Sequence, residues 1–339
     1  MSNEGSSKKQ QLLADAALLL CTIIWGATFI MVDKAVDTIG TYAFNAFRFS
    51  IASVVLLLLF GYRFFKKGLT SSEIWKGIVT GFFFFGGYTF QTLGMQFGTS
   101  AGKAAFITGL SVVLVPIISA ILDKQVPSIY AWLGILVAVV GLGLLSIESG
   151  FAFQLSDLLV LACAFCFAGH IIAIDKFIKE VHFSSLATFQ SITTAVLAWI
   201  STFIFWPQSF PLVFNQQVIF ALLFTGILAT ALILVLQTTA QKKTPSLHVA
   251  VIFSMEPVFG AFFAFIFGQE LFHWRQWLGC GLILISMLWQ QLLDIVIKPK
   301  LATKREPHNK IDMTRDDKEL ISEKANDNNN HDNKKIIEK

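Results

Sequence analysis

ADAALLLCTIIWGATFIMVDK, at residues 14–34, determines how the rest of the chain is interpreted. The run is apolar over about 20 residues, the length that an α-helix needs to cross the hydrocarbon core of a membrane. A second run, SDLLVLACAFCFAGHIIAIDK at residues 156–176, aligns with it without a gap. The aligned pairs are Asp15 with Asp157, Cys21 with Cys163, Trp25 with Phe167, Thr28 with His170, and Asp33-Lys34 with Asp175-Lys176. The alignment indicates one structural unit that is built twice.

The repeat extends beyond these two runs. At the same offset Phe47-Arg48 falls on Phe189-Gln190. A looser match pairs Gln91-Thr92 with Gln237-Thr238, and Trp132-Leu133-Gly134 with Trp277-Leu278-Gly279. The duplication therefore covers most of the chain.

The composition indicates a membrane protein. Of the 339 residues, 55% are hydrophobic and 14% are charged, whereas a soluble domain carries roughly 25% charged residues. The chain has too few charges to cover an aqueous surface. The C-x-x-C pair Cys163 and Cys166 lies inside an apolar run without a second pair. We interpret these cysteines as small core residues rather than a metal or redox site.

Ten apolar runs predict an all-α membrane protein with ten transmembrane helices. They lie near residues 12–33, 40–62, 74–96, 102–122, 128–148, 155–176, 183–205, 216–240, 246–268 and 274–296. The predicted domains are an N-terminal segment (1–11), a first five-helix repeat (12–148), a second five-helix repeat (155–296) and a polar tail (298–339). The tail has no apolar periodicity and is predicted to be disordered.

The distribution of Lys and Arg predicts the orientation. If the N-terminus is cytoplasmic, the inner segments hold Lys8, Lys9, Arg63, Lys66, Lys67, Lys76, Lys124, Lys176, Lys179, Lys242 and Lys243. The outer segments hold Lys34, Lys103 and Arg275. The positive-inside rule therefore predicts that both termini are cytoplasmic. The predicted location of the protein is the inner (cell) membrane. The positive charge is a topology signal and does not indicate a nucleic-acid surface.

Five spans per repeat is an odd number, so the second repeat enters the membrane from the opposite side. Two similar halves of opposite orientation form an inverted repeat, which is typical of secondary transporters. In such proteins the substrate site lies near the membrane midplane between the halves.

Several motifs resemble the EamA family of the drug/metabolite transporter superfamily. They are WGATF in the first run, FRF in the second, QTLGMQFGTSAGKAAFITGL, and EPVFGAFFAFIFGQE followed by WLGCGLILIS. The resemblance covers roughly residues 12 to 295. It implies transport of small organic metabolites, such as amino acids, nucleotides, nucleosides or drugs.

The two halves differ at some aligned positions. Pro257 in the ninth run has no counterpart at Val112, and Pro116 stands one turn further on. Gln125 stands where the second repeat has Glu270. The halves are therefore not expected to contribute equally to a site.

Glu256 is the strongest candidate for a functional residue, because burying a carboxyl group in the membrane is energetically costly. It lies about ten residues into the ninth run, hence roughly 15 Å deep. Pro257 cannot donate a backbone hydrogen bond and is expected to free the carbonyl of Phe253. The carboxyl group either contacts an ion or a cationic substrate, or forms a neutral hydrogen bond between helices.

Arg48 lies about eight residues into the second run, roughly 12 Å deep, and stays charged. It must pair, reach the interface or face water. The family resemblance implies a structural arginine, and a role in transport is the alternative.

Other polar and aromatic residues share helical faces. Cys21, Trp25 and Thr28 lie on one face, and the repeat places Cys163, Phe167 and His170 on the equivalent face. Tyr88 shares a face with Gln91, and Thr230 with Gln237 and Gln241. These faces either line a central cavity or pack against other helices, with Gly26 allowing close approach. The candidate substrate-binding residues are Trp25, Thr28, Arg48, Tyr88, Gln91, His170, Gln237, Glu256 and Pro257. His248 and Lys103 are predicted to be interface anchors.

The sequence favours a secondary transporter over two other classes. A membrane enzyme is disfavoured because H-E-x-x-H, G-x-S-x-G and Walker A motifs are absent from the sequence. A channel or scaffold is an alternative, although the inverted repeat is less expected there. Export, exchange and uptake all fit, with protons as a possible coupling ion. We expect no cofactor, no metal and no nucleic-acid partner, and the oligomeric state stays open.

Overall fold

A computed structural model describes residues 2–99, 101–124, 127–146, 154–205, 214–267 and 273–292. Within these ranges all regular secondary structure is helical. The tail that the sequence predicts to be disordered lies outside the described residues, as do Gln125 and Glu270. The described part thus consists of the two repeats and the short segment before them.

The two repeats have the same order of helices. The first contains α1 (Ser2–Ile39), α2 (Thr41–Lys67), α3 (Ser71–Gln96), α4 (Ala101–Gly109), α5 (Ser111–Asp123) and α6 (Ile129–Ser146). The second contains α7 (Leu155–Phe177), α8 (Phe183–Phe205), α9 (Gln216–Leu223), a π-helical segment (Phe224–Leu232), α10 (Ile233–Ala240), α11 (Ser246–Phe253), α12 (Glu256–Phe267) and α13 (Trp274–Leu292). Each predicted apolar run contains one helix or consecutive helical segments.

Six helical stretches are long and apolar enough to cross a membrane. They are Lys9–Thr28, Thr41–Lys67, Phe106–Asp123, Leu155–Phe177, Phe183–Phe205 and Gln216–Ala240. Two shorter apolar stretches cover Ile129–Leu144 and Ser246–Gly260. The chain is thus a multi-pass membrane protein, and the number of ten spans stays a prediction. Helix α1 begins at Ser2, so the polar residues before the first apolar run continue that helix.

Two of the predicted helices are broken in the structure. The run at 102–122 divides into α4 and α5 at Leu110, and the run at 246–268 divides into α11 and α12 at Ser254 and Met255. The alignment that pairs Trp132 with Trp277 also pairs Leu110 with Met255, so the breaks are equivalent. Pro257 follows the second break, as expected from its missing N–H. Pro116 lies inside α5, which continues past it.

Two pairs of equivalent helices, α2–α8 and α6–α13, pack antiparallel to each other. In the α2–α8 pair, Tyr42 near the start of α2 stacks on Phe205 at the end of α8, with 6.0 Å between ring centroids. Towards the other end, Phe60 contacts Phe183 at 5.7 Å. In the α6–α13 pair, the Ser286 hydroxyl donates to the Gly134 carbonyl at 2.7 Å and the Trp289 indole to the Tyr130 carbonyl at 2.9 Å.

Packing between the repeats depends on glycines at a few positions. A Cβ atom built on Gly26 of α1 would lie 2.6 Å from the Phe259 Cβ and 2.7 Å from the Gly260 nitrogen on α12. Gly141 of α6 is similarly close to the Gly279 carbonyl oxygen on α13, at 2.8 Å. Only a residue without a side chain allows these backbones to approach so closely.

Candidate functional site

A cavity of about 60 Å³ lies inside the helix bundle and is lined by both repeats. Both helix breaks border it, since Gly109 and Ser111 flank the first break and Phe253 and Glu256 flank the second. Its volume is small beside the roughly 300–1,000 Å³ of typical ligand pockets and is enough for a few waters. The space between the described side chains is therefore smaller than a typical metabolite site.

Most of the candidate residues from the sequence meet at this cavity. Those that line it are Trp25, Tyr88, Gln91, His170, Gln237, Glu256 and Pro257. Thr28 and Arg48 are not among the lining residues. The Thr28 hydroxyl donates to the Trp25 carbonyl of its own helix at 2.7 Å. Phe167, the counterpart of Trp25 in the second repeat, also lines the cavity. The sequence predicted that it shares a helical face with His170.

Trp25 is held in place by two contacts. Its indole Nε1–H donates to the Ala229 carbonyl oxygen at 3.0 Å, within the π-helical segment. Its ring packs edge-on against Phe253, with 5.0 Å between ring centroids. Because Phe253 ends α11, the indole contacts the helix break directly. Trp25 thus connects the first helix with both irregular parts of the second repeat.

Arg48 is buried behind the cavity wall, with 3% of its surface exposed. Its guanidinium donates to the Thr230 hydroxyl at 2.8 Å, to the Ala229 carbonyl at 3.3 Å and to the Tyr88 hydroxyl at 3.2 Å. It also lies over the Tyr88 ring, with Cζ 4.5 Å from the ring centroid, a cation–π arrangement. Arg48 therefore positions Tyr88, whose ring lines the cavity.

Gln190, which was not among the predicted site residues, holds His170. The Nε2 atom of His170 lies 2.8 Å from Gln190 Oε1, and the imidazole stacks on Phe84 at 4.5 Å. Gln190 is fully buried and is the repeat counterpart of Arg48. Each of the two therefore hydrogen-bonds a ring that lines the cavity. The repeat alignment already contained this signal.

The two aligned glutamines have different partners. Gln91 Nε2 donates to the Thr108 hydroxyl at 3.0 Å. Gln237 Nε2 donates to Gln241 Oε1 at 3.0 Å, and Gln241 in turn donates to the Ile171 carbonyl. Gln237 Oε1 is buried, and none of the described groups donates a hydrogen bond to it. This oxygen can accept a hydrogen bond from a molecule in the cavity.

Glu256 is the first residue of α12, directly after the break. Its side chain is partly exposed to the cavity, which also has Trp25 and Tyr88 in its wall. Arg48 is close enough to interact electrostatically with its carboxyl group. Within the described ranges no Lys or Arg nitrogen lies within 4.0 Å of that carboxyl group. A carboxylate at a helix start is favourable for the helix dipole, so the position tolerates the charge.

The described side chains include no group of three or more His, Cys, Asp and Glu that could hold a metal ion. Cys163 and Cys166 are both free thiols. The Cys163 sulfur lies 3.6 Å from the Thr108 hydroxyl.

A family model described as the EamA-like transporter family matches residues 12–147 and 154–289. The chain belongs to this family. The two matches coincide with the two repeats, so each repeat is one EamA unit. The resemblance that the motifs suggested is confirmed.

Curated relatives carry transporter names. A protein of Archaeoglobus fulgidus named "Uncharacterized transporter" is 36% identical over 285 residues, which is 84% of this chain and 87% of the relative. The Bacillus subtilis protein "Uncharacterized transporter YoaV" is 22% identical and aligns with 74% of this chain and 86% of the relative. Both alignments therefore cover most of this chain and most of the relative.

A solved structure, named "Crystal structure of protein", has a similar fold. Its TM-score is 0.70 at 19% identity, and the alignment covers 83% of this chain and 98% of the other. At this level of identity the similarity concerns the fold alone.

Proposed function

We propose that this EamA protein is a secondary transporter that moves a small organic metabolite across the cytoplasmic membrane by alternating access, as an exporter or exchanger. The observation that carries the proposal is the cavity at which both helix breaks meet. Broken helices of two inverted repeats commonly form the substrate site of secondary transporters. An uptake carrier of the same fold is the alternative direction.

The antiparallel arrangement of equivalent helices supports the inverted repeat. Repeats with the same orientation in the membrane are related by a two-fold axis along the membrane normal. Such an axis would make α2 and α8 parallel. An axis in the membrane plane makes them antiparallel, and this is the direction of the Tyr42–Phe205 and Phe60–Phe183 contacts. Ten spans with both termini in the cytoplasm agree with this axis.

The wall chemistry suits a small molecule with an apolar body and a polar group. Trp25, Tyr88 and Phe167 supply aromatic surface. Glu256 supplies an ionisable group, and Gln237 Oε1 supplies a free acceptor. A substrate ammonium group or a coupling proton would each satisfy the Glu256 carboxylate inside the membrane.

Transport by purified protein tests the proposal. The protein is reconstituted in proteoliposomes and given a pooled metabolite library, with and without a pH gradient. We expect at least one compound class to cross faster than in empty liposomes, and its movement to depend on the gradient if protons are coupled. The variant Gly61→Ala serves as a protein-containing control that should transport like the parent, because a Cβ there meets nothing within 4 Å. Equal permeation in liposomes with and without protein would refute the proposal.

A further inference from the structure

Two hydrogen bonds between aspartate and threonine connect the repeats in a crossed pattern. Thr244 Oγ1 donates to Asp15 Oδ1 at 2.9 Å, and Thr99 Oγ1 donates to Asp157 Oδ1 at 2.9 Å. Asp15 and Asp157 are repeat counterparts on α1 and α7. Thr99 and Thr244 are also counterparts, because the register that pairs Leu110 with Met255 pairs them. Each aspartate therefore binds the connection between the third and fourth helices of the other repeat.

All four side chains are buried. The exposed fractions are 2% for Asp15, 0% for Asp157, 3% for Thr99 and 1% for Thr244. A hydrogen bond to a buried carboxylate is costly to break without water to replace it. We call these contacts the Asp15 tie and the Asp157 tie.

The ties lie at opposite ends of the helix bundle. Helix α1 runs about 36 Å from Asp15 to its end at Ile39, at 1.5 Å per residue. At that end, Thr41 of α2 hydrogen-bonds Gln96 at the end of α3, three residues before Thr99. The Asp157 tie is therefore at the end of the bundle where α1 finishes, and the Asp15 tie is near the end where α1 begins.

Each tie has additional contacts. Asp157 Oδ2 accepts the Gln154 backbone N–H at 2.8 Å, and the Thr99 hydroxyl also lies 2.9 Å from the Ser156 hydroxyl. On the other side, His248 Nδ1 lies 4.0 Å from Asp15 Oδ2. His248 is 1% exposed, so the structure buries a residue that the sequence predicted at the membrane interface.

We infer that the Asp15 and Asp157 ties are the two gates of the transporter, one for each side of the membrane, and that opening to a side breaks the tie on that side. The inference rests on the proposed function. Both ties are intact in this structure, and the cavity between them holds about 60 Å³. In the proposed cycle, a structure with both ties formed corresponds to the state in which both gates are closed.

The equivalence of the two ties is what points to gating. Two states that are related by an inverted repeat exchange the environments of equivalent residues. A contact that closes one side must then have a counterpart that closes the other. The Asp–Thr pairs meet this requirement with the same residue types and the same distance of 2.9 Å.

Side-specific thiol labelling tests the gates without a substrate. Ser111, which lines the cavity, is replaced as Ser111→Cys, and a membrane-impermeant maleimide is added to membrane vesicles of either orientation. The same proteins without this change give the background of the four native cysteines. Thr244→Val and Thr99→Val remove one donor each while keeping the side-chain shape, and Thr→Ser at each position keeps the donor.

We expect mirrored results. Thr244→Val should raise labelling about tenfold from the side that carries the N-terminus, and Thr99→Val should do so from the opposite side, because the loss of a buried hydrogen bond shifts a two-state population by that order. The serine variants should label at the parental rate. No change in either valine variant, a rise from the same side in both, or equal rises from both sides in each would overturn the inference.

The result is distinguishable from failure of the proposed function. Mirrored labelling in a protein that moves no compound in proteoliposomes would keep the gates and refute the transport proposal. Transport with unchanged labelling in both valine variants would refute the gates alone.

Discussion

Glu256 differs from Ser111, the residue that the repeat aligns with it, although both begin a helix at a break and line the cavity. One repeat thus supplies an ionisable group and the other a hydroxyl at equivalent positions. The site is asymmetric within a symmetric framework. Of these two equivalent positions, only Glu256 can exchange a proton near neutral pH.

Replacing Glu256 by Gln tests the role of this charge. The amide keeps the shape and most hydrogen bonding, so the variant should fold and reach the membrane at the parental level. Transport in proteoliposomes should fall at least about tenfold, which corresponds to about 1.4 kcal/mol, or lose its pH dependence. A parental rate and pH profile would show that the carboxyl group only joins helices.

The sequence brought several of the cavity-lining residues together through the burial of polar groups in the membrane, and their role in transport stays a prediction. Trp25, Gln237 and Glu256 line the cavity as a helical face and a depth estimate suggested. Thr28 does not line it, and its hydroxyl bonds the Trp25 carbonyl of its own helix. A threonine in a helix can always bond the carbonyl three or four residues before it, and the sequence alone does not reveal that choice.

At the scale of the helices, the close approach of α1 and α12 requires Gly26. Gly26→Ala places a Cβ 2.6 Å from Phe259 Cβ and 2.7 Å from a backbone nitrogen. We expect thermal unfolding in detergent to show a loss of about 1–3 kcal/mol. The matched change Gly61→Ala meets nothing within 4 Å and should be neutral or stabilising by up to about 1 kcal/mol. Equal effects of the two changes would contradict this account.

The start of α3 depends on Glu73, which precedes the third apolar run. Burial alone would raise the pKa of Glu73. Hydrogen bonds from the Ser185 hydroxyl and the Thr70 backbone, together with the Arg63 guanidinium, instead lower the pKa from 4.5 to about 2. The Ser185 and Arg63 contacts, at 2.7 and 3.3 Å, join the start of α3 to α8 and the end of α2.

A lowered pKa means that ionised Glu73 stabilises the folded state. This contribution is complete above about pH 4.5 and is lost as the pH falls towards about 2. Glu73→Gln should therefore cost about 1 kcal/mol at pH 7, and its difference from the parent should narrow at pH 3. Unfolding in detergent at both pH values measures this. An unchanged difference would show that charge is not what stabilises this cap.

The helices were predictable and their irregularities were not. Apolar runs give α8 at 183–205 and α7 to within one residue, because hydrophobicity sets the length of a membrane helix. The break at Leu110 has no proline to announce it, and Pro116 lies in a continuous helix. The π-helical segment Phe224–Leu232 has no compositional signal either. The π-helical segment instead contacts the first repeat, since its Ala229 carbonyl accepts hydrogen bonds from Trp25 and Arg48.

At the scale of the whole molecule, orientation is the feature with the widest consequences. The Lys and Arg distribution predicts that both termini are cytoplasmic. A fluorescent reporter fused after Lys300 should therefore be active, and alkaline phosphatase fused there, which works only outside the cytoplasm, should be inactive. The opposite pattern would place the C-terminus outside the cytoplasm. If the N-terminus is inside, the number of spans would then be odd, which would contradict the predicted even number.

The Ala229 carbonyl oxygen accepts hydrogen bonds from Trp25 and from Arg48. Because two donors share one acceptor, we expect epistasis between the two positions: the effect of a change at one should depend on the residue at the other. Trp25→Phe and Arg48→Lys each remove or alter one donor. Their combination should deviate from additivity in unfolding free energy by at least about 0.5 kcal/mol. Additive losses in a double-mutant cycle would mean that the shared oxygen imposes no such epistasis, and each position would then be free to vary alone.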